Sequence, residues 1–305
     1  LMIDSFNVLL ICRLIFGISL GLCMALNAAV VADFFSGEER TAAMGIQSAC
    51  VGVSSLIVTF ISGNLGRDNV RNSYWVNLIA VIAFAIILIC LPDQRPLKAK
   101  RTYSWTKAIN KTVIGLSVFG FLQSVFLTTF ITNISMHIAN QTGGRSEESS
   151  IVIGAFSISQ IVIGLLLGRL SATFKHYTLS SAVWCYACGA AIFILPVSNM
   201  VLLMVGGLLC GFTQGTYMPQ ASTEATNSVD QSATATAAAV LTCGICLGQT
   251  SSPVVTNALS RACYGEISTN HVYFIAAIAM VIIGVLLAAF ETSIYRARGT
   301  LNQSL

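Results

Sequence analysis

Apolar residues run along this chain in long blocks separated by short polar turns. Nine stretches hold about 20 mostly apolar residues, the length a helix needs to cross a bilayer. They lie near 8–34, 42–65, 73–92, 112–138, 150–170, 178–197, 200–220, 235–259 and 271–292. The pattern predicts an all-α membrane protein, a bundle of about nine transmembrane helices. Several stretches carry Gly, Ser or Thr at close spacing, as membrane helices do where they approach tightly. The long polar segment, Asp93 to Lys111, reads DQRPLKAKRTYSWTKAINK. It divides the chain into a three-helix part (1–92), a basic loop (93–111) and a six-helix part (112–305). The first apolar run is too long for the core of a signal peptide and has only Asp4 before it, so it reads as a spanning helix.

Composition agrees with a lipid solvent. Of 305 residues, 55% are hydrophobic and 9% charged, where a soluble domain carries roughly 25% charged residues; mean hydropathy is +0.79. The net charge of +4 is small and six of the 16 basic residues sit in one loop, with no regular pattern of interleaved aromatics. That pattern points to a bilayer and away from nucleic acid.

Ten cysteines are present. Most lie inside apolar runs, where cysteine acts as a small hydrophobe. The pairs Cys185/Cys188 and Cys243/Cys246 have metal-like spacing but no His or acidic partner nearby, so packing is expected, with no metal or cofactor. The sequence holds no phosphate-binding loop, no nucleophile elbow and no paired His, Asp or Glu within an apolar stretch, which argues against an ATP-driven pump and against an enzyme. A receptor or scaffold would need a sizeable soluble domain, and only GTLNQSL follows Arg298.

Basic residues set the expected orientation. If the first helix runs inward, Arg40, Arg95, Lys98, Lys100, Arg101, Lys107, Lys111, Arg169, Lys175, Arg296 and Arg298 are cytoplasmic, eleven in all, while Arg67, Arg71, Arg145 and Arg261, four, are outside. The C-terminus is then cytoplasmic in a multi-pass plasma or inner membrane protein.

A weak internal repeat accompanies this. Gly17-x-x-x-Gly21 in the first stretch matches Gly207-x-x-x-Gly211 in the seventh, and the second and eighth align Thr41 with Thr234, Cys50 with Cys243 and Asn64 with Asn257. The offset is six helices, and internal repeats of this kind are a transporter trait.

With that offset and the basic central loop, the chain resembles the major facilitator superfamily, two six-helix halves joined by a long cytoplasmic loop. RLIFGISLGLCMALNAAVVADFFSGEER is similar to the family's fourth helix, with Arg13, Gly17, Gly21, Asp33, Glu39 and Arg40 matching. GLLLGRLSATFK is similar to the family's cytoplasmic loop motif, with Gly164 and Arg169 matching and Gly168 in place of the usual Asp. The helix-five drug-antiporter motif expects a Gly-Pro that GIQSACVGVSSLIVTFISGNLG lacks. The resemblance implies family helices four to twelve, an N-terminally truncated carrier of a small organic solute working by alternating access, with proton coupling and with antiport or efflux favoured over uptake. The alternative is a truncated membrane protein that does not transport, an incomplete gene product or a receptor or scaffold.

Candidate residues follow. Arg13, a guanidinium in an apolar run, either faces the pathway or snorkels to the outer interface. Asn27, Gln47, Gln123, Gln160, Gln214, Tyr217 and Gln249 are polar residues inside apolar stretches, able to bind a ligand at midplane or to bond a neighbouring helix. The family implies an ionic gate at the cytoplasmic ends of the helices, for which Asp33, Arg40, Arg169 and Glu224 are the candidates. No carboxylate lies near the middle of a stretch; Asp33 and Glu291 sit at ends. His137, Tyr74, Trp75, Tyr264 and Tyr273 read as interfacial, and Pro253 as a kink in the eighth helix.

Overall fold

The computed structural model describes residues 6–35, 37–65, 75–90, 109–142, 146–195 and 199–303; within helices, a few side chains, that of Asp33 among them, also lie outside the description. The central loop reading, residues 93–111, falls almost wholly outside it, as does Tyr74.

Among the described residues the regular structure is helical. The α-helices are α1 (Phe6–Phe34), α2 (Gly37–Leu65), α3 (Ile79–Cys90), α4 (Lys111–Thr142), α5 (Ser146–Phe174), α6 (Thr178–Ile194), α7 (Met200–Asn227), α8 (Thr234–Tyr264) and α9 (Thr269–Gln303). Among the described residues, length and composition qualify seven segments as candidate membrane spans, where the sequence predicts about nine. The difference has two sources. The fifth and sixth stretches are joined by a single 3-10 turn, Lys175–Tyr177, into one apolar segment, Glu148–Ile194. The third contains α3, only 12 residues long and with none of them buried.

The core lies in the part from α4 to α9. Phe130, Phe156, Phe193, Tyr186 and Tyr273 are fully or almost fully buried there, with Phe130 stacked on Phe156 at 5.1 Å between ring centroids. The closest helix pairs are α4 with α8, α5 with α7, and α6 with α7 and α9; α2 docks on α5 and α1 on α8. Small residues permit these approaches. Gly207, Gly211 and Gly215 form a stripe on α7 that abuts the backbone of α5 at Val152, Phe156 and Gln160. Gly244 and Gly248 of α8 do the same against Ser117 and Phe121 of α4, and Gly45 of α2 meets Gly164 of α5.

Two interfacial expectations are corrected. His137 is fully buried, its Nδ1 3.1 Å from the Thr269 hydroxyl and its ring 4.8 Å from that of Tyr273, which is itself fully buried. Both sit at an inter-helix contact, where a ring fills space between α4, α6 and α9 instead of reaching headgroups. Trp75 and Tyr264 are exposed. α8 runs unbroken through Pro253 to Tyr264 and ends on Gly265, whose φ of +78° places it in the left-handed region that closes a helix without a Cβ clash.

Candidate functional site

Five helices from both sides of the central loop enclose a cavity of about 340 Å³. α1 supplies Cys23, Met24 and Asn27; α2 supplies Met44, Gln47 and Ser48; α5 supplies Gln160; α7 supplies Gln214, Met218, Pro219 and Ser222; α8 supplies Thr242 and Ile245. Asn27, Gln47, Gln160 and Gln214, scattered over 188 positions (214 − 27 + 1), thus share one space.

No Asp, Glu, Lys or Arg lines it among the described residues. Its polar groups are amides and hydroxyls and its apolar ones include three methionines, side chains that reshape readily around a ligand. The Gln160 amide nitrogen donates to the Ser48 carbonyl at 3.4 Å, tying α5 to α2 beside the cavity. The side-chain oxygens of Gln47 and Gln214 are buried and accept no hydrogen bond. An unmatched buried amide oxygen costs about 1–3 kcal/mol, so the wall holds hydrogen-bonding capacity that the protein itself does not use.

α7 is built for this position. Asn199 caps it, its side chain accepting from the Val201 amide at 3.0 Å. Pro219 stands inside the helix and lines the cavity. It has no N–H to offer the carbonyl four residues back, that of Gly215, so the ladder is interrupted there. The proline was not singled out in the sequence, although a Pro between Gln214 and Glu224 was the available signal.

A second junction lies at the end of the bundle that the basic residues assign to the cytoplasm, termed the inner end. Arg40 is 9% exposed. Its Nε donates to the Phe35 carbonyl at 3.0 Å, one Nη to the Ala32 carbonyl at 2.8 Å, and the other Nη to Oδ1 of Asn227 at the end of α7. Asn110, just before α4, donates to the Ser228 carbonyl at 2.6 Å. Beside Arg40 and Asn227 lies a cavity of about 350 Å³. Asn227 carries no charge and was not among the sequence candidates.

The other candidates lie elsewhere. Gln123 and Tyr217 are fully buried within the α4–α9 part, with Nε2 of Gln123 and the hydroxyl of Tyr217 unpartnered. Gln249 is partly buried and outside the cavity lining; Arg13 and Arg169 are exposed. Glu224 lines a separate inner cavity with Glu291. The Asp33 side chain lies outside the described positions.

In comparison with known proteins, the sequence profile of the Major Facilitator Superfamily matches residues 1–118 and again residues 116–303. No curated protein matches the chain.

Proposed function

Because the chain belongs to the Major Facilitator Superfamily and is thus a multi-pass membrane transporter, we propose that it carries a small, uncharged, amphipathic organic solute by alternating access. The carrying observation is the shared cavity, walled by both sides of the central loop, uncharged, and holding the unpartnered oxygens of Gln47 on α2 and Gln214 on α7. A solute with N–H or O–H donors and an apolar flank satisfies such a wall; a charged one would lack a counter-charge and lose its hydration. Rocking of the two parts about this site exposes it to each side in turn. In this reading the hydrogen bond between Arg40 and Asn227 serves as the inner gate. Proton coupling and export from the cell complete the reading.

The test is solute counterflow in vesicles reconstituted with the full chain, using a panel of labelled neutral amphipathic compounds. At least one is expected to move saturably, with Gln47→Leu and Gln214→Leu each raising KM about tenfold, the loss of roughly one hydrogen bond in a dry site. Flux no faster than in protein-free vesicles across the panel would refute the carrier reading.

A further inference from the structure

We propose that Glu224 and Glu291 together form a proton-binding site at the inner end of the α4–α9 part, distinct from the solute cavity, whose occupancy is communicated along α7. It deepens the carrier reading by naming where a coupling proton is held.

The two carboxylates line a cavity of about 300 Å³ with Gln220, Lys175, His176 and Tyr295. They come from different helices, α7 and α9, and meet at this one cavity. Glu291 also has a structural task. Its Oε1 accepts from the Leu179 amide at 2.9 Å and its Oε2 from the Ser180 amide at 3.1 Å. These are amides at the start of α6, whose own preceding residue, Tyr177, provides no side-chain cap. The carboxylate thus caps a neighbouring helix and is held by the positive end of its dipole.

Gln220 is 5% exposed, lines the cavity, and donates from Nε2 to Glu224 Oε1 at 3.4 Å, while its own oxygen accepts nothing. Ionised carboxylates only accept; a protonated one also donates. One added proton relieves repulsion between two carboxylates that share a cavity and offers a donor to the buried Gln220 oxygen, which accepts none. A metal cation suits the cavity less well, because Lys175 shares it.

The charged and titratable groups about Glu291 come from each neighbouring element. They are Glu224 and Tyr217 on α7, Lys175 and His176 on the turn before α6, and Tyr295 and Arg296 beyond it on α9. Lys111 stands at the exposed start of α4. His176 stacks on Tyr295 with ring centroids 4.9 Å apart. Lys175 holds a φ of +52°, a left-handed conformation that costs a non-glycine residue about 1–3 kcal/mol and clusters at functional turns.

Communication has a physical route. α7 carries Gln214 in the solute cavity, Pro219 at the interrupted turn, Glu224 in the proton cavity and Asn227 on Arg40. At about 1.5 Å per residue, Gln214 and Asn227 are roughly 20 Å apart along one helix.

The proton itself is the probe. The full chain is placed in lipid nanodiscs, and infrared difference spectra are recorded between neutral and acidic buffer. A protonated-carboxyl band is expected, lost in Glu291→Gln and moved in midpoint by about one pH unit in Glu224→Gln, as when one member of an interacting pair is removed. Hydrogen exchange at Leu179 and Ser180, corrected for intrinsic rates, should quicken on acidification in the wild type and not in Glu291→Gln. The glutamine keeps an oxygen acceptor for the α6 amides; should it still misfold, Glu224→Gln carries the test. An unchanged band and midpoint in Glu224→Gln overturns the proposal. Protein that titrates this way but moves no solute refutes the carrier and leaves the proton site standing; flux without this titration does the reverse.

Discussion

Among single residues, Arg40 shows how context assigns a role. Its charge and its place after an acidic turn mark it as a gate candidate in the sequence, and one of its hydrogen bonds reaches across the molecule to the neutral Asn227. An amide offers a guanidinium a directed acceptor but no counter-charge, so this bond is less sensitive to salt than an ion pair. Asn227→Ala is expected to shift the balance toward an inner-open state by about 1 kcal/mol, close to a fivefold change in the open-to-closed ratio. In a variant retaining only Cys23, which lines the solute cavity, maleimide labelling from the inner side should quicken by a similar factor. Tyr186 is a purely structural counterpart. Its buried hydroxyl donates to the Phe126 carbonyl at 2.6 Å, joining α6 to α4. Tyr186→Phe should cost about 0.6 kcal/mol, the usual size of such a bond within a membrane, measured by denaturant titration in detergent.

Between elements, equal motifs have unequal surroundings. The sequence pairs Gly17-x-x-x-Gly21 with Gly207-x-x-x-Gly211, but a methyl group added at Gly17 or Gly21 meets nothing within 4 Å, whereas one at Gly211 runs into the Phe156 carbonyl. Gly211→Ala is therefore expected to destabilise by about 1–3 kcal/mol through overpacking. Gly17→Ala should be neutral or stabilising by up to about 1 kcal/mol, because glycine weakens a helix interior. Thermal unfolding of the two variants in detergent checks the contrast; equal losses would contradict the α5–α7 packing. The helices themselves were legible from apolar runs because a bilayer imposes a length. Their joints were less so. The turn between α5 and α6 occupies three residues, too few to stand out in a hydropathy window, and α3 is short although its apolar stretch is not.

For the whole molecule, α2 and α7 are joined at the inner end by the hydrogen bond from Arg40 to Asn227, and both helices also wall the solute cavity. Joining Arg40→Cys to Asn227→Cys with a short bismaleimide should stop flux while leaving solute binding within about twofold, since the cross-link blocks rocking and not the cavity wall. Full flux after cross-linking would show that this end does not open during turnover.

By itself the sequence determined that the chain is all-helical, lives in lipid and belongs with the major facilitators, because hydrophobic length and motif spacing are local properties. It also named Asn27, Gln47, Gln160 and Gln214, since an amide within an apolar run stands out without any knowledge of its neighbours. Only the tertiary structure decided which amides meet. Gln123 and Tyr217 carry the same signal yet are sealed inside the α4–α9 part, because the face of a helix that turns to a cavity depends on which helices pack against it. The same holds for Asn227, opposite Arg40, and for Glu291, at the head of α6. Their partners lie 187 and 112 positions away, and packing, not pattern, brings them together.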